Sequence, residues 1–215
     1  MYDELLSILE SEVKPALGCT APISVSYATS IAKEAVEGKV KSIKIIIDRD
    51  TYKNSVAVGI PGTTEKGVVA AAALGAICGD STQGLEVLKN ITSEGENEAK
   101  KFVDEKKVTL EIDWDIKGVR LYIEAYVETD VGVGHAIIAK THTNVVLIEK
   151  NEEIIYQSEE KNIEEILDES KAPINKYGVR DFYKFSIEVP VEKLYFLREA
   201  INLNTKLAKA GLKKN

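Results

Sequence analysis

The spacing of apolar side chains changes several times along this chain, and each change predicts a new element. Leucines 5, 6 and 9 with Ile8 recur at helical intervals, so residues 2–11 read as a short amphipathic helix. Pro15 and Gly18 break residues 12–20. Pro22 suits the first turn of a second helix, with Thr20 as its cap, running to about Val36 and ending at Gly38. Ile43, Ile45 and Ile47 then alternate with polar residues, which predicts a strand, and "NSVAVGIPG" reads as a second short strand stopped by Pro61 and Gly62. "TTEKGVVAAAALGAICG" predicts a helix of little bulk that can approach a neighbour closely, followed by short helices over 80–90 and 96–105. Val108, Leu110, Ile112 and Trp114 alternate with polar residues, as do Val119 to Val127 after a turn at Lys117–Gly118. Two more strands are expected over 135–139 and 144–149, and Ile154–Ile155 extends the sheet.

Beyond Gln157 the pattern changes. "KNIEEILDES" predicts a helix, "GVRDFYKFSIEV" fits helix or strand, and residues 191–210 put Leu194, Leu197, Ile201 and Ala208 on one helical face. There is no internal repeat. The expected fold class is α+β: a mostly antiparallel sheet packed with helices, flanked by N- and C-terminal helical segments. The corresponding division is a helical segment over 1–38, an α+β domain over 39–158 and a helical segment over 159–215.

Composition narrows the classes. The chain has 215 residues, 44% hydrophobic and 29% charged, as an ordinary globular protein does. Its net charge is -7 and its basic residues are scattered, which disfavours nucleic acid and anionic membranes as partners. No apolar run is long enough to span a bilayer. The start "MYDELLSILE" is acidic where a signal peptide would be basic. Two cysteines without a secretory signal point to the cytoplasm and to free thiols.

Candidate chemistry centres on "GCT". Cys19 precedes a helix start, where free amide N–H groups and the helix dipole favour a thiolate, the form that binds metal or attacks. Gly18 leaves room beside it. The alternative is a small core hydrophobe, which most free cysteines are. Cys78, among apolar neighbours in "GAICGD", reads as packing. The two are not at zinc spacing, and a cubane needs more thiolates than this chain has. "GIPGTTEKG" joins a tight turn to a threonine-capped helix start, which can hold a carboxylate or phosphate on its amides or be an ordinary connection. His135 and His142 are the only histidines; His142 in "KTHTN" can donate to a substrate or serve structure. Lys53–Asn54 flank a break, where polar groups are ordinarily solvated. There is no G-x-S-x-G, H-E-x-x-H or glycine-rich dinucleotide motif.

"EVKPALGCTAPISVSYA" closely resembles the opening signature of the L-cysteine desulfidase family, relatives of iron–sulfur L-serine dehydratases. "YKNSVAVGIPGTTEKGVVAAAALGAICGD", "GLEVL", "THTNVVLIEKN" and "FLREAINLNTKLAKAGL" resemble the same family in the same order. The resemblance implies a [4Fe–4S] lyase that converts L-cysteine to pyruvate, ammonia and sulfide, with Cys19 as a cluster ligand. It also implies a missing C-terminal half carrying further cluster cysteines, so this chain alone is expected to lack the cluster and to be inactive. Such a half is expected to expose apolar surface and to be open to self-association. Ala21 stands where the family usually has Glu, which leaves open whether a carboxylate there is needed. Two alternatives stand beside the lyase: an L-serine dehydratase-like enzyme, and a non-catalytic α+β module binding an amino acid or small anion. The candidate substrate-binding residues are Lys53, Asn54, Gly62, Thr63, Thr64, His142 and Asn144.

Overall fold

The computed structural model describes residues 2–16, 18–116, 121–158 and 173–213. The expected turn at Lys117–Gly118 and the helix expected over 161–170 lie outside the described residues. The chain forms two compact units, residues 16–169 and residues 1–15 with 170–215. Among the described residues no helix is long and apolar enough to cross a membrane.

The larger unit is an α+β fold. Helix α2 (Thr20–Val36) leads to β1 (Val40–Asp48), α3 (Arg49–Ser55), α4 (Gly67–Cys78) and α5 (Ser93–Asp104). Strands β2 (Val108–Asp113), β3 (Tyr122–Thr129), β4 (Val133–Ala139), β5 (Val145–Lys150) and β6 (Glu153–Gln157) follow. The sheet order is β2-β1-β3-β4-β5-β6. Only β1 and β2 pair in parallel, the other ladders being antiparallel. Ile43, Ile45 and Ile47 of β1, with Ile123, Ala125, Val127, Ala136 and Ile138, form a fully buried face with α2 and α4.

The sheet departs from the expected hairpin at Lys117–Gly118, because β1 lies between β2 and β3. A strand with three fully buried isoleucines needs both backbone edges satisfied, so it takes the centre. The parallel β1–β2 pair then requires a long crossover, which α3, α4 and α5 supply. The short strand expected over 54–62 is absent: Asn54 and Ser55 close α3, and Gly59–Lys66 is a single bridge. The cause is Asp48. Its buried carboxylate accepts from Asp50 N at 2.8 Å and Thr51 N at 2.9 Å, which caps α3 and turns the chain out of the sheet. The same carboxylate accepts from Tyr122 N at 2.7 Å, tying α3 to β3. The helix expected over 80–90 is a short 3₁₀ stretch, Ser81–Glu86, broken where Gly84 takes φ +54.

Helices α2 and α4 run side by side in the same direction, for Ser26 meets Ala71 and Gly75 while Ser30 meets Gly79. A Cβ on Gly75 would lie 2.1 Å from Ser26 O, so only glycine permits this approach. Ser26 Oγ spans the gap, donating to Ala71 O at 2.7 Å. The helix that follows Cys19 thus belongs with the sheet.

The smaller unit comprises α1 (Tyr2–Glu12), a 3₁₀ turn at Pro173–Lys176, α6 (Val179–Glu188), a second at Val191–Leu194, and α7 (Leu197–Leu212). The segment that fitted helix or strand is the helix α6, opened by Asp181, which accepts from Gly178 N at 2.9 Å. The helix expected over 191–210 begins at Leu197, after the second 3₁₀ turn. Polar contacts join α1 to the C-terminal segment: Glu4 to Lys176 and Tyr177, Tyr2 to Glu188, and Asp3 to Lys193 at 2.8 Å.

Candidate functional site

Cys19 is half-buried and is itself the N-cap of α2, in extended conformation (φ -71, ψ 126). The hydroxyl expected to cap this helix does something else. Thr20 Oγ1 lies 3.0 Å from His142 Nε2, and the N-cap Cys19 makes no side-chain cap. An anion at the Cys19 sulfur would meet the positive end of the α2 dipole. The thiol donates to Asn54 O at 3.8 Å, at the last turn of α3.

Gly18 sets the third side. It takes φ +70, and a Cβ there would meet Pro61 Cγ at 2.5 Å. The glycine before the cysteine thus lets the Pro61–Gly62 turn close onto it. His142 sits in the β4–β5 loop, and its carbonyl accepts from Ser24 Oγ at 2.9 Å, one turn along α2 from Thr20. Two side chains of one helix face therefore fix this histidine by its backbone and its ring. The residues brought together at the start of α2 are Cys19, Thr20, Ser24, Asn54, Pro61 and His142, drawn from segments more than 120 residues apart.

The other expected residues are engaged in different ways. Asn144 Nδ2 donates to Ala139 O at 3.0 Å and braces the β4–β5 loop. Thr63 Oγ1 accepts from Glu65 N at 2.8 Å. Thr64 N donates to Glu96 Oε1 at 2.8 Å, so this turn already holds a carboxylate, that of α5. The expected threonine cap of α4 is replaced by Lys66, whose side chain makes no cap, because Gly67 enters the helix at φ +84 against Val56 O. Gly62 takes φ +82 with open space beside its Cα, and Lys53 is exposed on α3. Ala21 is buried at 4% exposure, so its position faces the core.

Cys78 is a packing residue. A Cβ on Gly95 would lie 2.6 Å from its sulfur, so α5 starts directly against it. Burial, with Glu98 and Glu96 nearby, pushes its thiol up to about 11. Because α2 and α4 are parallel, Cys78 lies near the level of Ser30, about 16 Å along the helix axis from Cys19. Among the described residues no group of three or more His, Cys, Asp and Glu is arranged to hold a metal ion.

A second cluster, not singled out from the sequence beyond its histidine, lies on the opposite face of the sheet. His135 Nδ1 is 2.6 Å from Glu149 Oε2 and its Nε2 is 3.0 Å from Glu124 Oε1. Tyr126 stacks on the ring at 4.1 Å, 3° from parallel, and donates to Glu124 at 2.5 Å; Tyr122 donates to Glu124 at 3.0 Å. A carboxylate at each nitrogen favours the doubly protonated imidazolium. Burial disfavours that charge, but the bonds to Glu124 and Glu149 outweigh it and raise the His135 pKa. Burial likewise opposes ionisation of Glu124, and the bonds from His135, Tyr126 and Tyr122 outweigh it and hold that carboxyl below its usual range. Cross-strand register could have found this cluster, since Tyr126 faces His135 and His135 faces Glu149, but register is not written in one strand.

A groove of about 390 Å³ follows the other half of α2, lined by Tyr27, Ile31, Glu34, Ile148 and Tyr156. It adjoins neither cluster.

The chain is similar to curated proteins called "UPF0597 protein". One from Clostridium botulinum (strain Okra) is 40% identical over 214 residues, covering 97% of this chain and 49% of the relative. Those from Clostridium tetani and Caldanaerobacter subterraneus are each 38% identical, over 209 and 208 residues, covering 97% of this chain and 48% of theirs. The chain therefore spans about half the length of the curated relatives it matches. No family model and no solved structure matches it.

Proposed function

We propose that this chain is one half of an iron–sulfur lyase that breaks L-cysteine down to pyruvate, ammonia and sulfide by elimination. The observation that carries the reading is Cys19: a half-buried thiol at a helix start, with a glycine–proline contact on one side and a histidine held one residue away. The resemblance of the segment around "GCT" to the L-cysteine desulfidase signature supplies the chemistry.

The residues present fit a [4Fe–4S] cluster at one corner only. Cys19 has the donor chemistry of a ligand, while Cys78 is packed against α5 and no other metal-holding group lies among the described residues. Further thiolates would have to come from the half of the relatives' length outside this chain. Bound by Cys19 and those thiolates, the cluster would supply a Lewis-acidic iron toward the substrate's leaving group. In this reading Cys19 holds the metal, and Thr20 and Ser24 orient His142. His142 donates to the substrate, and the positive end of the α2 dipole favours its carboxylate. With Ala21 in the core, any activity proceeds without a carboxylate at that position. L-Serine, with hydroxide in place of hydrosulfide, is the competing substrate.

The test is anaerobic reconstitution with iron and sulfide of this chain together with the unmatched half of the Clostridium botulinum relative. A broad visible absorption band should appear, vanish in Cys19→Ala, and accompany pyruvate release that is faster from L-cysteine than from L-serine. Absence of iron uptake, with Cys19→Ala indistinguishable from the parent, sinks the reading. A second reading, a module that binds an amino acid or small anion, is favoured by the 61–66 turn, which already seats the Glu96 carboxylate on Thr64 N. A thermal shift of this chain with L-cysteine, L-serine or sulfate, without iron, would favour that reading.

A further inference from the structure

Among the described residues, eleven of the eighteen exposed large hydrophobic side chains lie between Ile174 and Leu212. They concentrate on α6 and α7, and α7 has no buried residue over its 16 positions. At 100° per residue, Leu197, Ile201, Leu207, Ala208 and Leu212 fall on one side of α7, and Arg198, Lys206, Lys209 and Lys213 on the other. Ile201, Leu207 and Leu212 are 63%, 73% and 77% exposed. A helix this short draws most of its stability from packing its apolar face, and here that face is uncovered. The relatives carry as much chain again as the part matched here.

We propose that the apolar stripe of α7 is the docking surface for that other half, which would present an apolar stripe about 24 Å long, the length of a 16-residue helix. The proposal rests on the two-half reading above but not on its chemistry. A second copy of this chain is the weaker occupant, because it would leave the relatives' remaining length without a seat. A membrane surface, which the basic side of α7 would also suit, is the alternative that the vesicle arm of the experiment tests.

The experiment mixes this chain with the separately expressed unmatched half of the Clostridium botulinum relative. Complex formation is read by light scattering after gel filtration, and protection of α7 amides by hydrogen exchange. A one-to-one complex should form and protect α7. The double substitution Ile201→Asp with Leu207→Asp should weaken it by about tenfold or more, while Lys209→Asp on the opposite side binds as the parent does. Circular dichroism of the free variants checks that the helix persists. No complex, or a complex indifferent to the double substitution, overturns the proposal. So does a dimer of this chain alone that the double substitution dissolves, or binding to phosphatidylserine vesicles in place of the other half. The two readings fail separately. A complex without iron uptake or pyruvate release refutes the lyase and leaves the docking surface standing; iron uptake that survives the double substitution does the reverse.

Discussion

The two histidines of this chain sit in opposite circumstances. His135 lies on the face of the sheet away from α2 and α4, with a carboxylate on each ring nitrogen and a tyrosine stacked on it; Glu124 accepts three donors. His142 meets the Thr20 hydroxyl through its ring and the Ser24 hydroxyl through its carbonyl, at the start of a helix whose N-cap Cys19 makes no side-chain cap. The first is a closed network in which every proton has a fixed place. The second lies one residue from a half-buried thiol. Closed networks of buried charge specify structure; a half-buried thiol is open to a ligand.

The sharpest way to break this contrast is Glu124→Ala. It leaves His135 Nε2 and two tyrosine hydroxyls without their acceptor and should cost about 3 kcal/mol in a urea melt. Cys19→Ser should cost less than about 0.5 kcal/mol. Equal losses would erase the distinction.

Next is thiol reactivity. With its thiol held at about 11, Cys78 is almost wholly protonated at pH 8. Cys19 should therefore be alkylated at least about tenfold faster by iodoacetamide, as followed by peptide mass spectrometry. Comparable rates would remove the case for Cys19 as the accessible ligand.

The pH dependence of stability separates the regions further. The raised pKa of His135 contributes stability that is present in full below 6.5 and lost as pH rises through the folded value. The lowered pKa of Glu124 contributes stability present above 4.5 and lost as pH falls through the folded value. Urea midpoints should peak between those limits. His135→Gln should remove the decline on the alkaline side, and a curve unchanged by it would show that the network does not hold the proton. The smallest effect belongs to Thr20→Val. It should change stability by less than about 1 kcal/mol, yet move the His142 ring resonances in an NMR spectrum.

Much of the fold was legible where one periodicity ran alone. The alternation at Ile43, Ile45 and Ile47 marked β1, and the Ala- and Gly-rich run marked α4 with its close approach at Gly75. Misreadings fell where a short polar signal overrode an apolar pattern. Asp48 ahead of "RDT" is a helix cap, and it converts the start of an apparent strand into α3. The GCT segment stood out because glycine, cysteine and a helix start coincide. The engagement of Thr64 by Glu96 could not be read, because it joins residues of different elements.

By itself the sequence determined the strands β1 to β6 and the helices α1, α2, α4 and α5, that Cys19 stands at a helix start, and that Cys78 lies in an apolar run. These follow from local periodicity and backbone preference, which act within a few residues. Tertiary structure alone decided that β1 separates β2 from β3, that His142 reaches Thr20, and that His135 is clamped between Glu124 and Glu149. Those outcomes depend on strand order and register, which are fixed when buried backbone groups and charges from distant segments must satisfy one another at once.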